Sequence, residues 1–194
     1  EIFPHQLRML AQRLGDRAED DAGLGQLVLE GGRDRDRVEH RVDCDAPLLD
    51  ARPDEAVEAI GAFVVVNDFS ARDVQRGEMA TGLGPQKAKH FASSMSASAV
   101  TADEILPRFD DLSGSVTING ETVSTVSSRG MKWTLGEMLA HASAGEQLWP
   151  GELFATGTLP GGSGMETGRW LRPGDQLTLT IDQIGEISHP IVSM

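Results

Sequence analysis

Tyrosine is absent from the 194 residues, cysteine occurs once, and aromatic residues of all kinds make up 5%. The lone cysteine, Cys44, closes no internal disulfide; it fits a reducing compartment and reads as a small buried apolar group rather than a nucleophile. No apolar run approaches the roughly 18 residues of a membrane-spanning helix, and the first residues show no secretory-signal pattern. The chain starts at Glu1 rather than Met, which points to a processed or truncated start. The expectation is a soluble, cytoplasmic protein. Positive charge is also scarce: 17 Lys and Arg stand against 30 Asp and Glu, a formal net charge of −13. Nucleic acid and anionic membrane surfaces both need a basic face, so neither is an expected partner. An acidic small molecule can still bind, through local Arg and Lys and a metal ion.

Several motifs are missing as well. There is no Gly-x-Ser-x-Gly elbow, the five histidines are scattered, and one cysteine makes no zinc ligand set. The glycine-rich stretch GTLPGGSGMETG (157–168) lacks the Lys-Ser/Thr and the helix start of a phosphate-binding loop.

What is present is turn-rich: 22 Gly and 9 Pro favour strands over a helical bundle. Leu7, Leu10 and Leu14 sit at helical spacing, and DEAVEAI (54–60) reads as a short helix with acids in its first turn. Gly15–Gly32 reads as acidic and glycine-rich around Leu27-Val28-Leu29, and Arg33–Arg41 as a solvated charged stretch. Pro47 makes Val42–Asp50 an edge or irregular strand. Further strands are expected at 97–101, 153–156 and 177–181, with a closing turn and strand over 185–192. Asn119-Gly120 between Ser115–Ile118 and Glu121–Val126 predicts a hairpin with a type I′ turn. Thr134 with Glu137 predicts a capping box opening a helix to Ser143. The fold class is α+β, mainly β.

The stretch FVVVNDFSARDVQ (63–75) draws the chemistry together. A buried strand, Phe63–Val66, should deliver Asp68 at its end, followed by a polar turn carrying Ser70, Arg72, Asp73 and Gln75. A strand-end cap built on Asp68 explains the same residues. Lys87 and Lys89 downstream suggest a local anion pocket. Asp43 and Asp45, two apart on an extended strand, share a face; with Asp68 they could hold one hard divalent cation, or could simply face water.

VVVNDFSARDVQ, then LGPQKAKHF, VTADEI, the Ile-Asn-Gly hairpin, PGELFATGT and LRPGDQLTLTIDQIG resemble the fumarylacetoacetate hydrolase family, in its order, across about residues 54–192. The resemblance implies a mixed β-roll or sandwich with few short helices, forming homodimers. It also implies a Mg2+ ion (or Ca2+ or Mn2+) that chelates a 1,3-dicarbonyl or 2-oxo acid while a C–C bond breaks. Asp68 matches the family's metal-ligating aspartate. Arg72 matches an arginine that stabilises developing negative charge, and Lys89 the lysine beside the metal. Gln75 and Thr158 match substrate contacts, and Glu166, more loosely, a glutamate linked to water activation.

The pattern departs from the family in three places. The Glu-x-Glu metal pair, counted back without gaps, lands on Glu39-His40-Arg41; with a gap, Asp43 and Asp45 could replace it. The family's catalytic histidine has no counterpart, His5 and His40 being poor matches. Most of the preceding region is missing. Either the chain is a specialised member, or VDCDAPLLDARP joins DEAVEAI across residues absent near 52–54. The expected organisation is thus an N-terminal extension or partial region at 1–53 and a catalytic core at 54–194. The leading functional expectation is a metal-dependent hydrolase or lyase cleaving a small acylpyruvate-like or 1,3-diketo acid. Isomerase, decarboxylase and hydratase chemistry are alternatives within the family, and an inactive binding or assembly subunit is the alternative outside enzymes.

Overall fold

The computed structural model describes the backbone of residues 20–30 and, with side chains, residues 47–192. Among these, two sheets of antiparallel-paired strands are connected by short helices. The first sheet contains β1 (Asp20–Glu30), β2 (Ala62–Ala71), β3 (Ser93–Met95), β4 (Val100–Thr101) and β7 (Leu153–Ala155). Its order is β3-β2-β1-β7, with β4 sharing the β3 edge of β2. The second contains β5 (Ser113–Ile118), β6 (Glu121–Ser127), β8 (Gln176–Ile181) and β9 (Gly185–Pro190), in the order β6-β5-β8-β9. The helices are α1 (Pro53–Glu58), α2 (Arg72–Met79), α3 (Lys87–His90), α4 (Ala102–Ile105), α5 (Leu135–Ala142) and α6 (Gly164–Thr167), with a 3-10 turn at Leu106–Asp111. This is the mainly β, α+β architecture expected from the sequence.

Alternation explains the second sheet. Val116 and Ile118 on β5 and Leu177, Leu179 and Ile181 on β8 are buried while the residues between them are more exposed, the period-two pattern of a sheet with one wet face. Their buried side chains join Phe63 and Val65 of β2 in one core, where the Phe63 and Phe109 rings lie 5.7 Å apart. The hairpin forms as expected, with Asn119 at φ 54° and Gly120 at φ 81°. The capping box on α5 also forms: Thr134 Oγ1 accepts the Glu137 N–H, and Glu137 Oε2 accepts the Thr134 N–H at 2.8 Å. Helix α5 packs on α1 so closely that a Cβ on Gly136 would collide with the Pro53 carbonyl oxygen.

Elsewhere the structure corrects the sequence reading. Strand β2 does not stop at Val66 but runs through Asn67, Asp68 and Ser70 to Ala71, because β1 and β3 hydrogen-bond it on both edges. Arg72, Asp73 and Gln75 lie on α2, not in a turn. Residues 20–30, read as part of an acidic, glycine-rich stretch, form the longest strand among the described residues and tie that portion of 1–53 into the sheet of β2. Lys87–His90 and Gly164–Thr167 each form a single helical turn. The 97–101 strand shrinks to Val100–Thr101, and β3 appears ahead of it. Among the described residues no helix is long and apolar enough to cross a membrane. The expected helix near residues 3–14, most of the Val42–Asp50 strand, Asp43, Asp45, His5 and His40 lie outside the described residues.

Candidate active site

Side chains two apart on a strand point the same way, so Asp68 and Ser70 share a face of β2. Twenty-one residues after Asp68, α3 brings in Lys89. Its Nζ lies 2.8 Å from Asp68 Oδ2 and 2.6 Å from Ser70 Oγ. Ser70 is fully buried, and its hydroxyl in turn donates to the Asp68 carbonyl oxygen at 3.3 Å. Asp68 and Lys89 remain 22% and 26% exposed, so the pair is held in place yet open to a small molecule. Of the residues singled out in the sequence, these two meet directly. Arg72 and Gln75 also meet: Arg72 Nη1 donates to Gln75 Oε1 at 2.7 Å on the first turn of α2, directly after β2.

A cleft of about 530 Å³ opens over this sheet, lined by Val66, Asp68, Ser93, Ser94, Met95, Leu153 and Ala155. Its walls come from β2, β3 and β7. Val28 of β1 is paired with both Val64 and Ala155, so β7 runs parallel to β2 one strand away. Thr158 is exposed and lies three residues beyond the end of β7. Glu166 sits on α6 and Oε2 accepts the N–H groups of Gly161 and Ser163, each at 3.1 Å. That carboxylate holds its own glycine-rich loop together.

The donor set around Asp68 bears on a metal ion. Cross-strand, Asp68 faces Gly23 of β1 and Ser93 of β3. Among the described residues no three Asp, Glu, His or Cys side chains gather, and Asp68 Oδ2 is engaged by Lys89. Ca2+ takes about six to eight oxygen ligands, and even Mg2+, which keeps several waters, is held by one or two carboxylates free to face it. The described residues do not fit such an ion by themselves.

Three features escaped the sequence. The Glu78 carboxylate closes the start of α3, with Oε2 accepting from Gln86 N (2.7 Å) and Ala88 N (3.2 Å) and Oε1 from Lys87 N (2.8 Å). These amides, Gln86's above all, hold its carboxyl below the usual range. Ser94 Oγ and His189 Nε2 lie 2.6 Å apart, tying the two sheets across 95 residues of sequence. Asn67, on the face of β2 away from Asp68, is fully buried with neither amide atom hydrogen-bonded within the described residues. Acid spacing offers no signal for the first two, whose partners are backbone amides or a distant strand, and burial of Asn67 follows from pairing on both edges of β2.

A family model described as fumarylacetoacetate (FAA) hydrolase C-terminal matches residues 43–192. The chain belongs to the fumarylacetoacetate hydrolase family. It is 30% identical over 139 residues to the oxaloacetate tautomerase YisK of Bacillus subtilis, spanning 71% of this chain and 45% of that protein. The chain thus spans under half the length of the curated relatives it matches. Its fold superimposes on a fumarylacetoacetate hydrolase from psychrophilic Exiguobacterium antarcticum with a TM-score of 0.73, at 24% identity over 92% of this chain and 59% of that one. A fumarylpyruvate hydrolase from Pseudomonas aeruginosa, in complex with Mn2+ and pyruvate, gives 0.71 at 20% identity, over 92% and 69%. A 5-carboxymethyl-2-hydroxymuconate delta-isomerase from Mycobacterium smegmatis gives 0.68 at 25% identity, over 91% and 60%. Proteins named as hydrolase and isomerase share this fold and one named as tautomerase resembles the chain in sequence, which leaves the reaction to be argued from the site.

Proposed function

We propose that this chain carries the active site of an enzyme that forms an enolate from a small acylpyruvate-like or other 1,3-diketo acid and cleaves its C–C bond. The observation that carries this reading is the Lys89 ammonium, fixed by Asp68 and Ser70 beside a cleft large enough for such a molecule. An ammonium has three N–H donors. Two are held by protein oxygens, so the third has a defined direction for a substrate oxygen. Water adds to the acyl carbonyl of the acylpyruvate. As the C–C bond then breaks, the acyl fragment leaves as a carboxylic acid and the electron pair moves onto the pyruvyl fragment as an enolate, which takes up a proton to give pyruvate. Fixed cationic donors stabilise that charge as it develops, and one such donor is worth about 10²–10³ in rate. Arg72, held by Gln75, is the second cation in this role, and Thr158 orients the substrate from the β7 side. Glu166 is the proposed water-activating group, acting from its loop.

Tautomerisation is the second reading, favoured by the 30% identity to an oxaloacetate tautomerase. It uses the same enolate with proton transfer in place of cleavage; decarboxylation and hydration would draw on that enolate too. A divalent ion such as Mg2+, Mn2+ or Ca2+ would need Asp43 and Asp45 to join Asp68 as ligands. The reading also includes a cytoplasmic homodimer, in keeping with Met95 and Leu153 standing about half exposed at the cleft. The test is an absorbance assay of enol loss on acetylpyruvate and on oxaloacetate, with released pyruvate measured in parallel and Mn2+ present or absent. Pyruvate release from acetylpyruvate supports cleavage, and enol loss from oxaloacetate without cleavage supports the tautomerase. No turnover of either, in a folded protein, leaves an inactive binding subunit and overturns the enzyme reading.

A further inference from the structure

The lysine at the heart of the site rides on a helix that cannot hold itself. Helix α3 has four residues, too few for a self-sustaining turn, and Gln86 at its start makes no side-chain cap. The segment before it, from Ala80 to Pro85, turns through Gly82 (φ 78°) and Gly84 (φ 79°) and exposes Leu83. Such a connection does not fix the orientation of α3. Glu78 does: it lies on the last turn of α2, and its carboxylate accepts three successive backbone N–H groups, from Gln86, Lys87 and Ala88. These are orphan donors of a helix start, where negative charge is favoured. The Lys89 and His90 N–H groups then close on the Gln86 carbonyl, and buried Ala88 seats the turn against the core. Lys89 is one residue beyond the last amide in the clasp.

We infer that Glu78 is a positioning residue: by clasping the start of α3 it sets the backbone from which Lys89 reaches Asp68 and Ser70. The same carboxylate joins two cation-bearing elements, because α2 begins at Arg72 and ends beside Glu78. Arg72, Gln75 and Glu78 recur every three residues along α2, so one helix carries the arginine, its partner and the clasp on the lysine. The carboxyl's lowered pKa agrees with this, its first cause being the Gln86 amide. The catalytic meaning of the inference rests on the proposed role of Lys89; the structural claim does not.

Trace acetylation with acetic anhydride, read by mass spectrometry on the Lys89 peptide with Lys132 as internal reference, tests it on the full chain. Glu78→Ala should raise the Lys89-to-Lys132 labelling ratio at least threefold. Glu78→Gln, which keeps one acceptor oxygen, should fall between that variant and the unaltered chain. An unchanged ratio in a cooperatively melting Glu78→Ala overturns the inference. If Glu78→Ala melts without cooperativity, Glu78→Gln decides on the same criterion. Oxalate, a planar mimic of a 2-oxo acid enolate, should protect Lys89 in the unaltered chain, with half-protection needing at least fivefold more oxalate in Glu78→Ala. Equal half-protection concentrations in both count against positioning. Failure of oxalate to protect Lys89 in the unaltered chain instead overturns the proposed substrate class, while the labelling ratios still decide the role of Glu78.

Discussion

Lys89 and Asp68 are each about one-quarter exposed, at 26% and 22%, and that partial exposure separates their two possible roles. An ion pair with this much solvent around it contributes about 0–1 kcal/mol to stability. Such a pair does little for folding, whereas a fixed ammonium at a cleft suits an anionic transition state. Lys89→Met should therefore leave the urea midpoint of unfolding almost unchanged while lowering kcat/KM on the turned-over keto acid about 10²–10³-fold. A loss of several kcal/mol of stability with activity largely intact would return the pair to the strand-cap reading. Asp68 and Lys89 were visible in the sequence because charged residues beside an apolar strand, in an acidic chain, stand out. Glu78 was not, because one acid among 30 looks alike until the amides it accepts from are seen.

Turns and caps were the elements most legible in advance, since their geometry is set by a few local residues. Asn119-Gly120 and Thr134 with Glu137 each form as expected. Strand lengths were less legible, because pairing partners set them. Asn67-Asp68 has turn chemistry of its own, yet β1 and β3 keep it extended, and the glycines of DDAGLGQLVLE weaken a strand that only β2 and β7 complete. The hairpin also carries a pH-sensitive brace. Asp175 accepts the Asn119 side-chain amide at 2.8 Å and the Arg172 N–H at 2.8 Å, and with the Asn119 bond as largest cause its carboxyl lies below the ordinary aspartate value. A carboxyl whose pKa is lower folded than unfolded stabilises the fold fully above the unfolded value and loses that contribution as pH falls through the folded one. Asp175→Asn should then lower the melting temperature at pH 7, with the difference from the unaltered chain shrinking toward pH 3. A difference that stays constant across that range would show that the charge contributes nothing.

At the scale of the whole molecule, a formal charge of −13 opposes the site's need to attract an anion. The two effects act over different distances. Repulsion from the summed charge reaches as far as the Debye length, about 30 Å at 0.01 M salt and about 8 Å at 0.15 M. Contacts with Lys89 and Arg72 act over a few ångströms once the anion is seated, where little salt intervenes. Salt should thus relieve the approach more than it weakens the bound state. The association rate of oxalate, measured by stopped-flow, should rise several-fold between 0.01 M and 0.15 M sodium chloride, with a smaller change in the dissociation rate. This is the reverse of the salt dependence of an electrostatically steered enzyme. An association rate that falls with salt would mean that the cations of α2 and α3 govern the field well beyond the cleft, and that the acidic surface lies turned away from the anion's path of approach.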